Sequence, residues 1–155
     1  MYTHQLINLL KKDKYSRKSF CGVLPIDKLP IKRVRRPCSF IINTHNSQLP
    51  GEHWMAVYLP RIGVVEYFDS YGLRPLNKEI LDFIKANNSK FIFNSKIIQS
   101  SDSQNCGKFC LFYLYFRNRG FTMKEYLKFF TTNKIQNDNF IDSLFNKIVK
   151  KNKIN

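Results

Sequence analysis

The chain has 155 residues with 43% hydrophobic and 15% aromatic content, enough for one domain with a buried core over residues 1–155. Lys and Arg number 26 against 11 acidic residues, a net charge of +15, and four irregularly spaced cysteines form neither a zinc signature nor an evident disulfide framework, which suits a reducing compartment. No stretch approaches the roughly 18 apolar residues of a membrane span, and residues 1–14 carry no leader pattern, so neither a membrane partner nor secretion is expected.

Taken in chain order, residues 2–12 read as a short amphipathic helix with Leu6, Leu9 and Leu10 on one face. Residues 20–37 are irregular, punctuated by Pro25, Pro30 and Pro37. A strand is expected at 38–43, a polar turn at 44–51 and a second strand at 53–59, apolar on both faces and therefore central. A tight turn through Pro60 and Gly63 leads to a third strand at 64–69. A helix follows at 76–87, then an outer strand at 90–98 with Phe91, Phe93, Ser95 and Ile97 on one side. The segment 106–119 is apolar all round in its middle, hence a buried helix, with Gly120 as its stop. Two amphipathic helices at 122–131 and 139–150 complete an α+β fold, a mixed central sheet flanked by helices.

One cysteine stands at the entrance of that buried helix. Polar Ser101, Asp102, Ser103 and Asn105 precede Cys106, and Gly107 follows it. A thiol at a helix N-terminus, near an imidazolium, has its pKa lowered and becomes a nucleophile. His53 supplies a general base, Asp69 a carboxylate to orient it, and Gln99 an amide for an oxyanion. An antiparallel hairpin brings His53, which opens one strand, beside Asp69, which closes the next. Each residue alone has a bland reading: Cys106 and His53 as core residues, Asp69 as a turn residue, Gln99 as an ordinary polar one. Their joint order and spacing favour the catalytic reading. Cys110, Cys21 and Cys38 read as buried structural thiols, Cys21 with the option of lining a cleft. Trp54 reads as a core aromatic that also packs on the His53 ring. His4 and His45 are assigned no role.

The order His53, Asp69, Gln99, Cys106-Gly107 resembles the adenovirus-type cysteine endopeptidases, relatives of the SUMO-specific proteases. Gln99 lies seven positions before Cys106, the adenovirus-type spacing. His53-Trp54, the Tyr-Phe-Asp-Ser-Tyr-Gly block ending at Gly72, and Cys106-Gly-Lys-Phe-Cys110 carry the likeness, which spans about 20–116. Phe20-Cys-Gly-Val-Leu-Pro25 is similar to the family's substrate-cleft segment. The resemblance implies a rearranged papain-like architecture and a monomeric endopeptidase acting through a thioester on viral capsid or core precursor polypeptides. Its sites would contain small residues, often Gly, and Gly22, Glu52 and Trp54 would touch substrate. No metal is implied. The virion and the host nucleus or cytoplasm would be its locations. Asp69 stands where the adenovirus enzymes usually carry Glu. No cysteine lies between Asp69 and Cys106, so a disulfide-tethered activating peptide at the family position is not supported, although a viral peptide activator is compatible.

From charge alone, the basic clusters fit a polyanion surface or an AT-rich coding bias equally well. The resemblance tips this toward non-specific double-stranded DNA as partner and cofactor, with Lys32, Arg33, Arg35 and Arg36 as candidate contacts. A peptidase of the same fold that removes a ubiquitin-like modifier is one alternative. A non-catalytic basic DNA-binding virion protein is another.

Overall fold

In the computed structural model, which describes residues 3–50 and 52–153, the chain alternates around one five-stranded sheet. Helix α1 covers Thr3–Lys12, strand β1 Phe20–Pro25, β2 Cys38–Asn43, β3 Trp54–Leu59 and β4 Val65–Phe68. Helix α2 covers Lys78–Asn87, strand β5 Phe91–Phe93, and helices α3, α4 and α5 cover Cys106–Arg117, Met123–Leu127 and Lys134–Lys153. The spatial order is β1-β2-β3-β4-β5. The inner pairs β2–β3 and β3–β4 are antiparallel, whereas β1 and β5 pair parallel to their neighbours.

Strand alternation sorts the side chains into two apolar layers. Ile41, Ala56, Tyr58 and Phe68 face a layer built with α1, α3, α4 and α5. Cys38, Phe40, Ile42, Met55, Val57, Leu59, Val65 and Tyr67 face the opposite layer, closed by α2 and by Ile26 and Leu29. Helix α3 is buried on every side in its middle, as its uninterrupted apolar run requires, and Tyr113 stacks on Phe68 with ring centroids 4.6 Å apart. Its polar end is tied down as well. Glu66 of β4 accepts from Arg117 Nε at 2.7 Å and Nη2 at 2.8 Å, and from the Tyr113 hydroxyl. Arg119 forks onto Asp13 and lies 3.4 Å from the Tyr115 ring centroid, fastening the end of α1 to the end of α3.

Two stretches depart from the sequence expectation. Residues 20–25 form edge strand β1 and not an irregular segment. Their apolar composition suits pairing, a bulge absorbs Cys21 between Phe20 and Gly22, and the prolines act only from Pro25 onward. The outer strand at 90–98 shrinks to β5. Asn94 ends it by spending its side chain on the backbone of Asp69, accepting from its N–H at 2.9 Å and donating to its carbonyl at 2.6 Å. Helix boundaries also move: α5 starts at Lys134 and α4 is only a short turn, capped by Thr122 and Glu125. The N-terminal helix was expected from Tyr2, and the polar turn up to Gly51, both outside the described residues. No helix among the described residues is long and apolar enough to cross a membrane.

Candidate active site

The β3–β4 hairpin ends at one sheet edge, where Phe68 pairs with Ala56 and the next residues of both strands diverge into loops. His53 immediately precedes β3 and Asp69 immediately follows β4. Their side chains meet there: His53 Nε2 and Asp69 Oδ1 are 3.0 Å apart. Asp69 is 2% exposed, so its charge needs compensation. The backbone N–H of Tyr71 donates to the same oxygen at 2.8 Å. Asn94 holds the Asp69 main chain from the other side.

Cys106 is the first residue of α3 and 6% exposed, and its thiol lies near enough to the His53 ring to favour the protonated imidazole. With Nε2 occupied by Asp69, Nδ1 is the nitrogen left for sulfur. Burial pulls the His53 pKa down, but the Asp69 carboxylate and the Cys106 thiol outweigh it and push the imidazole from 6.5 up to about 9. The ring over His53 is Tyr71, with centroids 5.1 Å apart and planes tilted by 32°. Trp54 packs into the layer of α1 and α3 as the expected core aromatic, while the ring contact with His53 expected of it belongs to Tyr71.

Gln99 sits in the loop entering α3 and is almost wholly buried. Its Oε1 accepts from the Ser70 hydroxyl, and its Nε2 donates to the Ser103 carbonyl at 2.8 Å. The amide proposed for an oxyanion is therefore engaged with its own loop in this structure. That loop is anchored by a residue the sequence reading missed. Asp138 of α5 accepts from Ser100 N–H at 3.0 Å, from the Ser103 hydroxyl and from Asn105 Nδ2 at 3.2 Å. Asn137 beside it donates to the Ile98 carbonyl at 3.0 Å. No sequence signal marks this pair, since acids near a helix start are ordinary.

The remaining candidates separate. Trp54 lines a hollow of about 230 Å³ together with Val23, Leu24, Pro25 and Leu49. Gly22, next to Val23, has open space where a side chain would be. Glu52 is exposed and paired with His45 Nε2 at 2.7 Å, so its carboxylate is already engaged. Lys32, Arg33 and Arg35 are exposed, but Arg36 is not free for a phosphate. Its guanidinium donates to the carbonyls of Pro60, Gly63 and Asn87, tying the β3–β4 turn to the end of α2. Cys38 is buried as expected. Cys21 is exposed, and the neighbouring Cys38 thiol outweighs burial to bring its pKa down to about 7. Among the described residues, no three potential ligands cluster to hold a metal ion.

No protein-family model matches the chain. The Cysteine protease S273R of African swine fever virus (isolate Tick/Malawi/Lil 20-1/1983) is 29% identical over 97 residues, which is 54% of this chain and 36% of the viral protein. The chain thus matches only about a third of that relative's length. The crystal structure of the ASFV pS273R protease superposes with a TM-score of 0.63 at 16% identity, over 88% of this chain and 66% of that one. The central domain of the uncharacterized Lpg1148 protein from Legionella pneumophila superposes with a TM-score of 0.56 at 17% identity, over 97% and 98% of the two chains. The fold is therefore the expected one, a mixed sheet between helices in a rearranged papain-like arrangement.

Proposed function

We propose that this chain is a cysteine endopeptidase of viral type, and the observation that carries the reading is one imidazole held between Asp69 and the thiol that opens α3. Kinship with a viral cysteine protease in both sequence and fold supports it. The nucleophile is the Cys106 thiolate, with protonated His53 as its counterion. Sulfur adds to the scissile carbonyl, and the carbonyl oxygen takes the negative charge. The bonds of α3 begin with the Lys108 N–H on the Asn105 carbonyl at 2.8 Å, and the N–H of Cys106, ahead of it at the helix start, is the proposed donor. Gln99 becomes the second donor if its amide leaves Ser103 when substrate arrives. The C–N bond then breaks, His53 protonates the departing amine, and a thioester remains. Neutral His53 next takes a proton from water, whose oxygen adds to the thioester carbonyl; the C–S bond breaks, the acid leaves, and the Cys106 thiolate is restored beside protonated His53.

The residues before the scissile bond would lie in the hollow lined by Val23 and Trp54, next to Gly22, and small side chains there are proposed by the adenovirus-type resemblance. Capsid or core precursors are the proposed substrates, by the adenovirus-type resemblance. The exposed Lys32, Arg33 and Arg35 are the proposed contacts for double-stranded DNA, without Arg36.

Peptide-library cleavage, with and without DNA, tests this reading against a Cys106→Ala control. Labelling by a peptide electrophile must be mapped by mass spectrometry, because the exposed Cys21 thiol also reacts. Modification of Cys106 that disappears in His53→Ala is the expected result. Equal labelling of Cys106 in both proteins, with no cleavage of any peptide, defeats the proposal.

A further inference from the structure

A second hollow, of about 600 Å³, opens beside the candidate site and is used by no step above. Tyr71 and Gln99 form its inner wall, and Leu73, Ile97 and Ile135 rim it. These three aliphatic residues are 57%, 49% and 67% exposed, gathered around one concavity and not scattered over the surface. Among the described residues lining it, Lys134 carries the only charge.

The walls are fixed to one another. Gly72 has a left-handed φ of +69°, and a Cβ there would lie 2.9 Å from the Ser95 carbonyl oxygen. Only glycine lets Tyr71 and Leu73 sit so close to the 95–97 backbone. The N–H groups of Ile98 and Gln99 both donate to the Ser70 carbonyl, at 3.0 and 3.2 Å. Asn137 and Asp138 bind the third wall, the start of α5, to Ile98 and Ser100. Such a cavity needs little ordering when a ligand enters.

Its position relative to His53 identifies the occupant. The departing amine must come within hydrogen-bond reach of the imidazole that protonates it. The polypeptide attached to that amine therefore leaves over His53, whose ring is flanked by Tyr71. Tyr71 is also where the hollow begins. We propose that this hollow is the subsite for an apolar side chain on the leaving-group half of the substrate, within the first few residues after the scissile bond. The proposal rests on the protease reading and adds a specificity to it.

The test uses the full chain and peptides that share the most rapidly cut amino-terminal half. Leu, Ser, Asp or Lys is placed in turn at each early position after the scissile bond. At one position Leu should raise kcat/KM about tenfold over Ser, as expected for filling an apolar pocket. Lys should be the poorest, facing Lys134. In the double variant Leu73→Ser, Ile135→Ser, the Leu-to-Ser ratio should fall to near one. Both residues are exposed, so the variant should fold, and its thermal unfolding confirms that. An arylamide with the same acyl half and nothing beyond the bond reports the rest of the site. A ratio near one in the parent, a preference for Asp, or a ratio that survives the double variant overturns the subsite while the arylamide is still cleaved. Absence of any Cys106-dependent cleavage overturns the subsite and the protease reading together.

Discussion

Replacing Asp69 by Asn takes one negative charge from the imidazole and leaves an acceptor in its place. Oδ1 accepts from His53 at 3.0 Å and from the Tyr71 N–H at 2.8 Å, so the Asn oxygen occupies that position and its NH2 turns away. Geometry is kept and charge is lost. In the parent, the His53 pKa rises from 6.5 to about 9 against the effect of burial, a difference on the order of 3 kcal/mol. Without the carboxylate, burial is opposed mainly by the thiol, and the imidazole should titrate lower by more than about one unit. Turnover at neutral pH should fall on the order of a hundredfold or more. The assay is a nuclear magnetic resonance titration of the His53 ring, with the pH profile of Cys106 alkylation read by mass mapping. The linked stability has a definite sign. The folded pKa lies above the unfolded one, so the stabilisation is fully present below pH 6.5 and is lost as pH rises through about 9. The parent should lose roughly 3 kcal/mol of unfolding free energy across that window, and Asp69→Asn distinctly less. A parent imidazole that titrates near 6.5, or one unmoved by the substitution, refutes the reasoning.

Asp138→Ala should destabilise the fold by about 2–4 kcal/mol in urea unfolding, because three donors in the 100–105 loop lose a buried charged acceptor. It should also slow Cys106 alkylation several-fold. Glu66→Ala leaves Arg117 buried without its partner and should cost about 3–5 kcal/mol, whereas Glu66→Leu combined with Arg117→Met should recover most of that loss in thermal unfolding. Arg36→Ala should cost about 2 kcal/mol of stability and leave the salt dependence of DNA binding unchanged. Replacing Lys32, Arg33 and Arg35 together should instead reduce the slope of log affinity against log salt by about three.

The fold was legible wherever burial imposes a period. Strand β3 and helix α3 carry long apolar runs, and both are placed within a residue or two of the expectation. The candidate triad was legible for a different reason: His53, Asp69 and Cys106 have a chemistry that bland alternatives explain only one at a time. What stayed hidden was bonding between segments that share no pattern. Asn94 reads as a strand residue and Arg36 as part of a charge run. Asp138 reads as an ordinary acid at a helix start. Each is instead defined by a distant backbone: that of Asp69, of the β3–β4 turn, or of the loop entering α3. A hydrogen bond across 25 or 38 positions leaves no periodic trace in the chain.

The exchange of Trp54 for Tyr71 shows where a physical rule was available and would have sufficed. Neighbouring residues entering a strand leave the backbone on opposite sides. Trp54 therefore joins Ala56 and Tyr58, two and four positions on, in the layer beneath α3. For the same reason it turns away from the ring of His53. A residue that covers the imidazole has to arrive from the strand bearing the carboxylate, after a turn that folds back. Tyr71 meets that condition: its N–H closes the turn on Asp69 Oδ1, and Gly72 completes the reversal with its N–H on the Asp69 carbonyl at 2.8 Å. One turn thus orients the Asp69 carboxylate, covers the His53 ring and builds the first wall of the neighbouring hollow. Gly72→Ala should consequently disturb all three together: fold stability, the His53 titration and any preference for apolar leaving groups should shift in the same variant.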